Sequence, residues 1–386
     1  MLNYSRQEVT QQDIDAVVAV MRSDFLTQGP AVLNFELTVA QHVGARHAIA
    51  LNSATSALHL ACLALGLGAG DWLWTSPITF VASANCALYC GAKVDFVDID
   101  AKTYNLCPAA LEAKLIAAER QGKLPKIVVA VHLSGQSCDM EAIHKLALKY
   151  GFKIIEDASH ALGGMYKGAY IGGSAYSDIT VFSFHPLKII TTAEGGMAVT
   201  NDDELAERIA LLRSHGVTRD SSKMTREADG PWYYEQVALG LNYRMNDIQG
   251  ALGCSQMNRL TTYAQSRHKM AERYDVALRD FPLTTPWQHP DSYSALHLYV
   301  VRLQLDRIKL SRRAVFDRLR ADNIGVNVHY IPVHTQPYYR QMGFAAGDFP
   351  EAEKYYSEAI SIPIFSSMTD EQQNHVVVSL HAALDL

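Results

Sequence analysis

Apolar runs recur along the first half of the chain, near residues 47–52, 72–76, 94–99, 127–133, 152–157 and 178–184, and segments with helical spacing separate most of them. Short runs of this kind predict strands, and strands alternating with helices predict a largely parallel sheet buried on both faces. Ahead of them, residues 13–22 and 33–43 carry helical patterning around the loop Phe25-Leu-Thr-Gln-Gly-Pro30, where Gly29 and Pro30 break regular structure. After Asn246 the pattern changes. One helical stretch is predicted over 247–278, followed by a polar, Pro-containing region at 282–294, alternation over 296–303, a helix near 312–320 and a strand over 326–330. This second pattern predicts a smaller α+β domain. The expected division is a large domain of residues 1–247 and a small one of 248–386, with the boundary near residue 248.

Ligands of parallel sheets collect beyond the carboxyl ends of the strands. Asp157 ends one predicted strand, and Lys188 lies just beyond another. An ordinary lysine, with a pKa of about 10.4, is neither nucleophile nor base at neutral pH. Phe182, Phe184, Leu187, Ile189 and Ile190 give Lys188 apolar surroundings that disfavour its charged form. Taken singly, Lys188 fits a side chain reaching out from a strand end, and Asp157 fits a local cap. Taken in order, they fit the needs of pyridoxal phosphate: an amine for the aldehyde and a carboxylate for the ring nitrogen.

Other segments fit the rest of that cofactor. Asn52-Ser-Ala-Thr-Ser-Ala57 is a small polar turn between a strand and a helix, so the N–H groups around Ala54 and the hydroxyls of Ser53 and Thr55 can converge on a phosphate. Phe80 offers a flat ring at the start of another helix, and Ser183 a further hydroxyl beside Lys188.

Seven segments carry a resemblance along nearly the whole chain: Phe25-Leu-Thr-Gln-Gly29, Asn52 to Ala57, Thr75-Ser-Pro-Ile-Thr-Phe-Val-Ala-Ser-Ala-Asn85, Glu156-Asp-Ala-Ser-His-Ala161, Ser183-Phe-His-Pro-Leu-Lys188, Asn242-Tyr-Arg-Met-Asn-Asp-Ile-Gln249 and His329-Tyr-Ile-Pro332. The chain resembles the DegT/DnrJ/EryC1-type family of fold-type I aminotransferases, which aminate nucleotide-linked keto sugars. That resemblance implies an α/β fold with a mostly parallel central sheet and a smaller C-terminal α+β domain. It implies catalysis by Lys188 and Asp157 with pyridoxal 5'-phosphate, cycling through pyridoxamine 5'-phosphate. It places His160 and Asn242 among the cofactor contacts, Asn242 reaching across a homodimer, and Tyr4, Phe25, Leu26, Thr27, His185, His329 and Tyr330 among the substrate contacts. His160 and His185 equally suit packing roles. The implied donor is L-glutamate, whose carboxylate could meet Arg213, Arg219 or Arg244. The wording of Thr75 to Asn85 and Ser183 to Gly196 implies the acceptor UDP-2-acetamido-2,6-dideoxy-β-L-arabino-hexos-4-ulose, aminated at C4; another nucleotide-linked 4-keto-6-deoxy sugar is the alternative. His132 and Ser134, in Val131-His-Leu-Ser-Gly-Gln-Ser137, depart from the family pattern and are expected to touch none of these residues.

Rival readings fare less well. Sugar dehydratases on this fold carry histidine where Lys188 stands. Gly66-Leu-Gly-Ala-Gly70 follows a helical pattern and reads as a helix stop, not a dinucleotide-binding turn. A non-enzymatic sensor or interaction protein on the same scaffold is the alternative of a different class. Composition changes little: 386 residues with 48% hydrophobic content suit a globular chain, and a net charge of -6 offers no nucleic-acid footprint. Six scattered cysteines predict neither disulfides nor a metal site. With no signal region and no membrane-spanning window at hand, a cytoplasmic protein is expected.

Overall fold

The computed structural model describes every residue except Ser174. Two helices, α1 (Gln11–Met21) and α2 (Pro30–Val43), come first. Pro30 suits the first turn of α2, whose N–H would be unpaired in any case. There follow β1 (His47–Leu51), α3 (Ala54–Ala64), β2 (Trp72–Thr75), α4 (Ala82–Tyr89), β3 (Lys93–Phe96), α5 (Pro108–Glu119), β4 (Ile127–Val131), α6 (Met140–Tyr150) and β5 (Lys153–Asp157). A small hairpin, β6 (Met165–Tyr166) and β7 (Ala169–Tyr170), leads to β8 (Ile179–Ser183) and then β9 (Gly196–Thr200).

Seven of these strands form one sheet in the order β1-β9-β8-β5-β4-β2-β3. Pairing is parallel from β8 through to β3. The expected burial on both faces is clearest in β4: Ile127, Val129 and Val131 enter one core cluster, while Val128 and Ala130 enter another. Strand β9 was not expected. It runs antiparallel to both β1 and β8, so the connection carrying Lys188 is a hairpin loop and not a helical crossover.

Beyond the sheet come α7 (Asp203–Leu212), β10 (Val217–Thr218), β11 (Glu235–Gln236), α8 (Asp247–Met257) and α9 (Leu260–Ala277). The single helix predicted over 247–278 is two helices, broken where Arg259 takes φ -110° and ψ 0°. The break lets each half meet a different partner. Helix α8 presses on α2 so closely that a Cβ on Gly253 would stand 2.6 Å from the Phe35 ring. Helix α9 instead buries Met270, Ala271 and Tyr274 in a core shared with the C-terminal strands.

The remaining elements are β12 (Leu283–Thr284), β13 (Ser292–Tyr293), β14 (Tyr299–Leu303), α10 (Arg312–Ala321), α11 (Pro337–Arg340), α12 (Pro350–Glu358), β15 (Ala359–Ile362) and α13 (Asp370–Ala383). Strands β12, β14 and β15 make a three-stranded antiparallel sheet. The strand expected over 326–330 is only an extended segment, bridged to this sheet at Asn327 and Ser361. The N-terminal segment docks on this C-terminal unit: Leu2 bridges Ile324, and the Tyr4 carbonyl accepts the Ile364 N–H at 3.0 Å. Among the described residues, no helix is long and apolar enough to cross a membrane.

Candidate active site

The carboxyl ends of β5 and β8, the turns after β1 and β2, and the segment 327–330 enclose a cavity of about 510 Å³. Lys188 stands in its wall, in the loop between β8 and β9. That loop is tied at its base, where Phe184 N–H donates to the Gly195 carbonyl at 2.9 Å and Thr192 N–H to the Phe184 carbonyl at 3.0 Å. Burial lowers the Lys188 ammonium from 10.5 to about 8, against the opposing pull of the Asp157 carboxylate. The side chain is therefore a usable amine near neutral pH.

Asp157 ends β5 and is buried. Its Oδ2 accepts the Ser83 hydroxyl at 2.6 Å and its Oδ1 accepts the Ser159 N–H at 3.1 Å. Ser83 in turn lies 2.7 Å from the Thr79 hydroxyl, which donates because the Ser83 proton is already committed. These donors fix the orientation of the carboxylate. Nothing in the sequence pointed to Thr79 and Ser83, at the start of α4, as partners of Asp157.

At the start of α3, the Ser53 hydroxyl caps the helix by accepting the Ser56 N–H at 3.1 Å, and Ala54 and Thr55, whose N–H groups have no partner within the helix, line the cavity. Strand β9 runs hard against this turn. A Cβ on Gly196 would lie 2.4 Å from Ser53 and Ala54 backbone atoms, so only glycine leaves the turn its shape. Ser183 also lines the cavity, as does Phe80, whose ring is 59% exposed and packs on one side 6.3 Å from Tyr330.

His160, His185, Tyr4, His329 and Tyr330 also line the cavity. Burial holds the His160 imidazole well below its usual pKa, and that of His329 down to about 3. Tyr4 and His329 pack with ring centroids 5.1 Å apart. Not every residue marked in the sequence arrives. Phe25, Leu26 and Thr27 are exposed in a loop anchored through Asp247 to α8, and Asn242 is exposed beside Ser214; none of the four lines this cavity. The candidate arginines stay away too: Arg213 is bound to Glu36 and the Ala50 carbonyl, and Arg219 lies over Tyr234.

One expectation is overturned. Ser134 was expected to touch no site residue, yet its N–H donates to His160 Nδ1 at 3.2 Å. The left-handed turn at Ser134 (φ 60°) and Gly135 (φ 101°) aims that N–H at the ring, a conformation the sequence pattern did not reveal. His132 overturns the expectation as well: its N–H donates to the Asp157 carbonyl at 3.1 Å, while its ring is bonded to the buried Glu156 at 2.7 Å. Sequence reasoning also missed His297, a buried ring packed 4.4 Å from His160.

An amine of lowered pKa, a hydrogen-bonded carboxylate, an open helix start and an exposed aromatic ring match the aldehyde, ring nitrogen, phosphate and ring of pyridoxal phosphate. The profile of the DegT/DnrJ/EryC1/StrS aminotransferase family matches residues 7–381. The chain belongs to that family. The spore coat polysaccharide biosynthesis protein SpsC of Bacillus subtilis is 40% identical over 97% of this chain and 95% of its own. The UDP-4-amino-4,6-dideoxy-N-acetyl-β-L-altrosamine transaminase of Campylobacter jejuni is 36% identical over 100% and 98%. Among solved structures, Helicobacter pylori PseC, an aminotransferase involved in the biosynthesis of pseudoaminic acid, superposes with a TM-score of 0.91 at 33% identity, covering 100% of this chain and 99% of that one. Streptococcus pneumoniae Spr1654 in its PLP form reaches 0.88 at 27% identity over 99% and 98%. This protein is accordingly a sugar aminotransferase with pyridoxal phosphate as cofactor, and its architecture is that of the solved family members.

Proposed function

We propose that the enzyme transfers the amino group of L-glutamate to C4 of UDP-2-acetamido-2,6-dideoxy-β-L-arabino-hexos-4-ulose, giving UDP-4-amino-4,6-dideoxy-N-acetyl-β-L-altrosamine. The full-length likeness to a transaminase bearing that product's name carries the reading. Bound in the cavity, the cofactor supplies an electron sink for the donor's α carbon. Lys188 moves the proton between that carbon and the cofactor's C4′, and its lowered pKa suits it to do so near neutrality. Asp157 holds the proton on the pyridine nitrogen, itself oriented by Ser83. Ser53, Thr55, Ser183 and the N–H groups at Ala54 and Thr55 take the phosphate, and Phe80 covers one ring face. Tyr4, His329 and Tyr330 form a wall for the sugar.

The site as a single chain forms it is short of cations: among the described residues lining the cavity, Lys188 is the only lysine or arginine. Both substrates are anionic. A second copy is the proposed source of the missing charge and of Asn242, in a homodimer whose loops carry the exposed Phe25, Leu26 and Leu239 into the contact. A cytoplasmic location is part of the same proposal, since six free cysteines suit a reducing compartment.

A second reading has its own support. The 40% identity to SpsC, a protein named for spore coat polysaccharide biosynthesis, supports an acceptor other than the altrosamine precursor, and the alternative is another nucleotide-linked 4-keto-6-deoxy sugar. Amination assays with UDP-linked 4-keto sugars of both C5 configurations, read by mass spectrometry and by NMR at C4, decide between them. A clear preference for the D-xylo ketone, or for a dTDP-linked ketone, overturns the first reading.

A further inference from the structure

His160 has its chemistry set by the direction of its hydrogen bonds. Because the Ser134 N–H donates to Nδ1, that nitrogen carries a lone pair. The ring is 6% exposed, and burial, with Lys188 and His329 close by, keeps a second proton off it. Its one ring proton therefore sits on Nε2. Nε2 lies 3.1 Å from the Tyr330 hydroxyl, so the imidazole donates and the phenol oxygen accepts. Burial raises the Tyr330 pKa, so the phenol keeps its own proton. Tyr330 has no other side-chain hydrogen bond among the described residues, and it lines the cavity. Its proton is left facing the ligand space.

The parts behind His160 are rigid. A Cβ on Gly135 would stand 2.9 Å from the His160 carbonyl and the Leu296 N–H, so the loop is pressed against both neighbours. His297, packed on the other side of the ring, is held through its carbonyl by the buried Arg267 guanidinium at 3.2 Å. In front of His160, rings follow one another along the wall: Tyr4 to His329 at 5.1 Å, His329 to Tyr330 at 4.9 Å and Tyr330 to Phe80 at 6.3 Å. Ring faces and an uncharged donor suit a sugar; a donor carboxylate needs a cation, which this wall lacks.

We propose that His160 is a positioning residue, which takes the Ser134 N–H on one nitrogen and with the other fixes the Tyr330 hydroxyl as a hydrogen-bond donor to an oxygen of the sugar acceptor. The identity of the acceptor rests on the function proposed above; the relay itself does not.

Two measurements test it. In protein labelled with ¹⁵N-histidine, His160 should show the neutral Nε2–H form from pH 6 to pH 8, and Tyr330→Phe should shift the Nε2 signal. A proton on Nδ1, a charged ring in that range, or an unmoved signal overturns the relay, whatever the substrate. In single-turnover kinetics, His160→Leu and Tyr330→Phe should each slow the reaction of the pyridoxamine-phosphate-loaded enzyme with the keto sugar about tenfold more than they slow the glutamate half-reaction. The double variant should be no slower than the worse single one. His160→Gln, which keeps one donor and one acceptor, should recover much of the loss and guards against simple misfolding. Additive losses, equal losses in both half-reactions, or no rescue by glutamine refute the positioning role. Failure of the wild type to aminate any UDP-linked 4-keto sugar sinks the proposed function and leaves the NMR test standing.

Discussion

Lys188 should capture pyridoxal phosphate with a rate that titrates near pH 8 and not near pH 10. The fall from 10.5 to about 8 raises the unprotonated fraction at pH 7 from about 0.03% to about 9%, roughly 300-fold or about 3 kcal/mol. Only the free amine attacks the aldehyde, so the capture rate of cofactor-free enzyme, followed by visible absorbance, should rise about tenfold per pH unit up to its midpoint and then level off. Asp157 supplies an internal control. Its carboxylate favours the ammonium, so Asp157→Asn should move the midpoint lower. The same shift has a sign in stability. Between about pH 8 and pH 10.5 the unfolded chain holds more protons than the fold at this position, so cofactor-free protein gains stability as pH rises through that window and carries the cost of the buried ammonium below it. Because Lys188 lines an open cavity and is only partly buried, about 3 kcal/mol is an upper bound on that cost. A capture rate still climbing steeply at pH 10, or a midpoint that rises in Asp157→Asn, would refute the reasoning.

Three further outcomes are expected. Lys188→Ala should abolish covalent cofactor capture and steady-state transamination while the circular dichroism spectrum stays native, because the side chain projects into a cavity; substantial turnover with the usual colour change would reassign the lysine. Gly196→Ala should cost about 1–3 kcal/mol or more in thermal unfolding and weaken cofactor binding, since the new methyl would stand 2.4 Å from the Ser53 and Ala54 backbone; unchanged melting and affinity would show that this turn yields. Mixing inactive Lys188→Ala with a weakly active Asn242→Ala variant should, after subunit exchange, give activity above either parent, and no gain in exchanged dimers, or an active monomer by sedimentation, would end the shared-site proposal.

The parts of this molecule that were legible in the sequence share one physical property. Strand β4 is buried on both faces and appears as an unbroken apolar run, while Asp157 and Lys188 stand out because each lies at or just beyond the end of a strand with an apolar centre, Ile154-Ile155 and Val181-Phe182. The reading failed where non-local packing decides. Strand β9 follows the loop 184–195, which forms no helix, and its direction comes from pairing with β1 and β8. The break at Arg259 contains neither glycine nor proline and exists because α8 and α9 serve different cores. Ser83 reaches Asp157, and His297 the cavity, from segments whose own pattern announces only a helix and a strand, and the left-handed turn at Ser134 is set by its neighbours, not by its residue type.

The hairpin that carries Lys188 also bears on amide exchange. With β9 zipped between β1 and β8, both ends of the lysine loop are fastened to the interior of the seven-stranded sheet. Local opening of that loop would have to break ladders on two sides. Amides of β8 and β9 should therefore exchange with deuterium only as the whole fold opens, while the exposed segment 219–234 exchanges early. On that time scale the amine that meets the cofactor moves with the slowest part of the protein, and the surface loops beside it move freely.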